Sequence, residues 1–149
     1  MVIRELNEQE CRELLGRVSL ARLGCARENQ PYVVPVRIAY EEKYVYVFST
    51  VGQKVEWMRE NPRVCLQLDE IASAFEWTSL IANGRYQELP EPRFTAEKAH
   101  ARELLEKHYE WWLNALAERR EKETNELAIE PVFFRVEIES MTGLRAGTQ

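Results

Sequence analysis

The sequence predicts a mainly β domain of the α+β class. The expected architecture is a small, closed or partly open antiparallel barrel of six strands, with a short helix after the third strand and one long helix before the last. Three observations predict it. β-branched and aromatic residues gather in short runs such as "YVVPVRIAY" and "YVYVFST". Brief polar segments, "ARENQP" and "EEK", separate those runs as hairpin turns do. The crossover helices that parallel pairing requires are mostly missing.

Taken in order, "LNEQECRELLGR" reads as a short helix. Asn7 can cap it, Glu10 sits where a capping-box carboxylate belongs, and Gly16 suits a C-terminal stop. "VSLARLGC" alternates as a strand, and "YVVPVRIAY" follows with Pro35 inside it, which points to an edge position or a bulge. "YVYVFST" is the third strand. In "GQKVEWMREN" Val55 and Met58 stand at helical spacing, and Asn61-Pro62 ends that element. "RVCLQLDE" and "TSLIANGRYQEL" are two further strands, the second interrupted at Gly84. A Thr95 cap opens the long helix, whose Leu105, Tyr109, Trp112 and Leu116 form one stripe ahead of the solvated "ERREKE". "PVFFRVEIESM" is the last strand and "TGLRAGTQ" a polar tail.

A chain of 149 residues with 45% hydrophobic content suits one domain spanning residues 1–149, burying roughly two thirds of its unfolded surface. Cys11, Cys25 and Cys65 are an odd, widely spaced set with no C-x-x-C pair, which suits a reducing, cytoplasmic setting and argues against a zinc site. No apolar run is long enough to span a bilayer, so no membrane association is expected. A net charge of −5 argues against nucleic-acid binding, which needs clustered Lys and Arg.

The chemistry concentrates at one junction, "FSTVGQK". A strand running into a helix offers unpaired N–H groups and the positive end of the helix dipole. Ser49 and Thr50 add hydroxyls, Gly52 permits close approach and Lys54 adds a charge. Residue chemistry leaves two readings: a Ser or Thr cap with Lys54 in solvent, or a seat for a phosphate. The Walker and dinucleotide patterns are absent. The carboxylates form no acid/base pair, and His100 and His108, eight apart on the long helix, have no ligand partners at metal spacing and suit packing or surface roles.

The succession "GRVSLARLG", "PYVVPVRIAY", "YVYVFSTVGQKVEWMRENPRVCLQLDE" and "EWTSLIANGRYQEL", with the closing "PVFFRVEIESMTGLRA", resembles the pyridoxamine-phosphate-oxidase-related proteins of the FMN-binding split-barrel fold. The resemblance implies a six-stranded split barrel, a homodimer, and FMN at the subunit interface. It places Arg37, Ile38, Ala39 and Tyr40 along the isoalloxazine ring. Phe48, Ser49, Thr50, Gln53 and Lys54 fall at the ribityl phosphate, and Trp77, Thr78 and Ser79 near the dimer interface. The implied function is an FMN-dependent oxidoreductase acting on a small molecule. The alternatives are flavin binding or storage without turnover, and haem held by His108 or Tyr40. The end "GLRAGTQ" stands where pyridoxamine phosphate oxidases carry an Arg- and His-containing segment that grips substrate. The Trp111-Trp112 pair suits a core or interface role, or a lid over the flavin groove.

Overall fold

The structure is a computed structural model that describes residues 1–50, 52–106 and 131–148. Its strands are β1 (Val2–Glu5), β2 (Leu20–Arg27), β3 (Gln30–Glu41), β4 (Tyr44–Thr50), β5 (Arg63–Ser73), β6 (Glu76–Glu88) and β7 (Pro131–Gly147). The helices are α1 (Glu8–Arg17), α2 (Gln53–Glu60) and α3, described over residues 95–106. The strands form one antiparallel sheet in the order β1-β7-β4-β3-β2-β5-β6, and β6 also pairs with β7, which closes the ring. This is the split-barrel architecture expected from the sequence.

The described strands number seven rather than six. The added strand, β1, is four exposed residues long, and its pairing runs from Val2↔Gly147 to Glu5↔Leu144. A strand so short and unburied leaves no hydrophobic pattern, and its existence depends on a partner at the far end of the chain. The same pairing corrects the expected polar tail, because β7 continues through "TGLRAG" to Gly147.

Alternation along each strand sorts the side chains into two clusters. Ala21, Leu23, Ile38, Val45, Val47, Leu66, Leu68, Leu80, Phe134 and Val136 fill the barrel, closed by Cys11, Leu14 and Leu15 of α1 and by Val55 and Met58 of α2. Ala39, Tyr46, Phe48 and Phe133 turn outward and are covered by Leu89 and by Ala101 and Leu105 of α3. Burial on both faces explains why "YVYVFS" is apolar almost throughout.

Turns and ends follow local chemistry. The β2–β3 hairpin turns on Glu28 and Asn29, both in the left-handed region (φ 50° and 66°), with Arg27 opposite Gln30. Pro35 lies where β3 pairs with β2 alone, since pairing to β4 begins only at Ile38, so it occupies an edge. Gly84 marks a bulge: the register slips between Asn83 and Gly84, and a Cβ there would come within 2.2 Å of the Glu137 carbonyl oxygen.

α1 carries the full capping box. The Asn7 side chain accepts from Glu10 N at 2.8 Å, and Glu10 accepts from Asn7 N at 3.1 Å. Gly16 is not its stop: it lies inside the helix, and Val18 ends the helix in extended conformation with its N–H on the Leu14 carbonyl. Thr95 likewise is the first helical residue rather than the cap. Its hydroxyl donates to the Pro92 carbonyl at 2.9 Å, while the Phe94 carbonyl takes the Lys98 N–H. Among the described residues no helix is long and apolar enough to cross a membrane.

Candidate functional site

The β4–α2 junction is built differently from an ordinary side-chain cap. Gly52 occupies the N-cap position in extended conformation and offers no side chain, while its carbonyl accepts from the N–H groups of Val55 and Glu56. The N–H groups of Gln53 and Lys54 therefore open the helix without a capping hydroxyl. Ser49 is buried just before the turn and Gln53 is exposed. Lys54 does not lie free in solvent. It is half-buried within electrostatic reach of Cys25, and loss of water pushes its ammonium below the ordinary value. Burial raises the Cys25 thiol, with Lys54 pulling it back.

β3 splits "VRIAY" between two faces. Ile38 is fully buried in the barrel and Tyr40 packs on the same cluster, so these two reach an outer ligand only through their backbone. Ala39 points outward into the cluster with Phe48, and Arg37, two residues before it, shares that face. Thr50 closes β4.

Trp77, Thr78 and Ser79 lie elsewhere in the ring, since β2 and β5 separate β3 from β6. Thr78 is buried, and its hydroxyl accepts from Arg145 Nε at 3.3 Å. Ser79 accepts from Gln67 Nε2 at 3.3 Å, and Gln67 also donates to Asp69 at 3.0 Å. Half-buried Trp77 and Ser79 border Ile81 and Leu144, which are 43% and 44% exposed. The structure thus brings Arg37, Ala39 and Phe48 to one face near the junction, but sets Trp77–Ser79 apart from them in the chain's own ring.

His100 has a packing role: its Nε2 lies 2.8 Å from Glu41 and its ring meets Tyr46 edge-on at 5.8 Å. His108, Tyr109, Trp111, Trp112 and Leu116 lie outside the described residues. Among the described residues no group of His, Cys, Asp and Glu is placed to hold a metal. Cys25 is the buried member of the strand cysteines, while Cys65 is half-buried on the outer face against Gly24.

Two features escape sequence reasoning. Arg135 is buried with its guanidinium 3.9 Å over the Tyr44 ring and its Nε 2.7 Å from Gln87; the only sequence signal is an arginine inside "FFRVE". Trp57 meets Tyr32 with ring centroids 5.5 Å apart and planes tilted by 54°, and lies under the Arg27 guanidinium at 5.6 Å.

A closed antiparallel ring in which β6 returns to β7 defines a split barrel as the class of fold. The chain belongs to the family described as pyridoxamine 5'-phosphate oxidase, a family of flavin-binding split-barrel proteins whose model matches residues 7–145. It is 41% identical over 147 residues to the uncharacterized protein RA0666 of Rhizobium meliloti (strain 1021), covering 98% of this chain and 97% of that protein. The crystal structure of a FAD-binding protein from Mesorhizobium loti is 39% identical, with a TM-score of 0.80 over 99% of this chain and 100% of that one. A FAD-binding protein from Mycobacterium smegmatis shares the fold at 19% identity, with a TM-score of 0.64 over 94% and 97% of the two chains.

Proposed function

We propose that this chain binds the FMN unit of a flavin cofactor and works as an oxidoreductase on a small molecule. The observation that carries the reading is the junction itself: open N–H groups at the start of α2, capped by side-chain-free Gly52, beside buried Ser49 and half-buried Lys54. A phosphate there gains charge-assisted hydrogen bonds in a site partly withdrawn from water. The isoalloxazine would run along β3, meeting the side chains of Arg37 and Ala39 and the backbone of Ile38 and Tyr40. When bound, the flavin supplies the electron-transfer chemistry. The chain's part is to hold the phosphate, orient the ring and shield it.

The separation of Trp77 and Ser79 from the junction supports a homodimer in which β6 of one protomer completes the groove of the other. Exposed Ile81 and Leu144 beside them are the kind of surface such an interface covers. The test is the visible spectrum of the purified protein together with FMN titration. A flavin spectrum, or quenching of flavin fluorescence on titration, is expected; a colourless protein that neither quenches FMN nor gains thermal stability from it overturns the reading.

A second reading, flavin binding or storage without turnover, is favoured by one observation: no paired acid and base stands near the junction among the described residues. Stopped-flow mixing with NADH or NADPH separates the two, since a bound flavin that neither donor reduces supports storage.

A further inference from the structure

α1, the β3–β4 turn and the middle of β7 enclose a cleft of about 320 Å³. It lies at the Tyr44 end of β4, whereas the β4–α2 junction lies at the Thr50 end, so the seven-residue strand sets the two about 20 Å apart. A ligand in this cleft does not touch a phosphate at the junction.

The floor is apolar and rich in sulfur: Cys11 of α1 with Ile138 and Met141 of β7. Cys11 is 2% exposed, and among the described residues its thiol has no hydrogen-bond partner. Burial, then the charges of Glu10 and Glu8, push that thiol up, so it stays protonated and acts as a soft, polarizable contact. Two sulfurs in one apolar floor favour an aromatic ring over an aliphatic chain.

The rim is charged, and its cations are engaged. Arg12 pairs with Glu8 at 2.6 Å, and Lys43 carries its ammonium 5.3 Å over the Tyr44 ring. Glu42 and Glu139 pair with no cation among the described residues. They come from separate elements, and the Ile138 N–H bond to the Lys43 carbonyl, at 2.8 Å, ties those elements together beside the cleft. The rim is therefore left with negative charge above a sulfur-lined floor.

We propose that this cleft is a second ligand site, separate from the flavin groove, for a small aromatic amine. The ring lies against Cys11, Met141 and Ile138, and the ammonium meets Glu42 and Glu139. The same glutamates repel a carboxylate or phosphate, and a neutral ring of equal size gains the floor without the rim.

The experiment is calorimetric titration of the full chain with 2-phenylethylamine and, as its neutral counterpart, 2-phenylethanol. The amine should bind about ten- to a hundredfold more tightly, the value of one charge-assisted hydrogen bond. The double variant Glu42→Gln/Glu139→Gln, both at exposed positions, should bring the amine down to the level of the alcohol and leave the alcohol unchanged. Ser140→Trp, at an exposed position lining the cleft, should fill it and abolish binding of both, with circular dichroism confirming the fold. Equal affinity of the wild type for the two probes, no binding of the amine at millimolar concentration, or amine binding unchanged in either variant overturns the proposal. None of these outcomes bears on the flavin reading, which rests on the other end of β4.

Discussion

Arg145, near the end of β7, places its guanidinium 3.0 Å from the Glu10 carboxylate on α1, across 135 residues of sequence. Arg4 of β1 reaches the same carboxylate at 2.6 Å, and Arg145 also donates to Thr78 of β6. One glutamate thus caps its own helix and ties three strands to it.

This arrangement has a pH consequence. The Arg4 hydrogen bond, then the Asn7 backbone bond and the neighbouring charges, hold the Glu10 carboxyl down to about 2, below its ordinary 4.5. A folded-state value below the unfolded one means that the contribution is complete above pH 4.5 and drains away as pH falls toward 2. Urea denaturation between pH 7 and pH 2.5 should show that loss, and Glu10→Gln should flatten the curve while lowering stability at neutral pH.

At the bulge, Gly84→Ala would push a methyl group against the Glu137 carbonyl oxygen and Val136 Cγ1, at 2.2 and 2.8 Å. The first of these is backbone and cannot swing aside. A loss of about 1–3 kcal/mol is expected from chemical denaturation, at the upper end if β6 and β7 must separate to accommodate it.

Phe134 is fully buried in the barrel and packs against Tyr86 with centroids 5.1 Å apart and planes tilted by 56°. Phe134→Ala should cost about 3–5 kcal/mol, because the ring of strands around the void cannot collapse into it. Thermal and urea melts measure the effect directly.

If the β4–α2 junction seats a phosphate as proposed, Lys54→Ala should weaken FMN binding about ten- to a hundredfold, the value of one charge-assisted contact, and leave riboflavin almost unchanged. Fluorescence titration with both ligands separates the contributions. Equal weakening of the two would place Lys54 away from the phosphate.

Ile81→Glu puts a charge on an exposed position beside Ser79 and so should leave the protomer folded. In a homodimer joined by this face it should shift the mass measured by light scattering to that of a monomer and reduce flavin affinity with it. A variant that stays dimeric moves the interface elsewhere.

Much of this fold is written locally. The Asn7-Glu10 box, the Asn61 stop, the edge position of Pro35 and the break at Gly84 are each legible because a neighbour within a few residues, or one backbone restriction, decides them. β1 was not, since four exposed residues become a strand only through a partner at the opposite end of the chain. The site divides the same way. The junction and β3 residues are candidates through the family resemblance laid over the residue chemistry, and neither tells that Ser49 is buried, that Gly52 leaves the helix without a side-chain cap, or that Ile38 faces inward while Ala39 faces out. Nor do they bring Trp57 under Arg27, because that contact joins a helix to a strand some thirty positions away.

β7 pairs with β4 and β6 along its first half and with β6 and β1 along its second. On the ribosome this makes the barrel a structure that waits. β4 and β6 are synthesised with open edges, and nothing can join them until the residues from 131 onward emerge. Closure is then a long-range event, with Val2 meeting Gly147, and such non-local pairing is slow. In that interval the exposed edges of β4 and β6 are the segments most open to wrong partners. Nascent chains stalled before residue 131 should therefore be protease-sensitive and aggregation-prone, where chains released at full length are not.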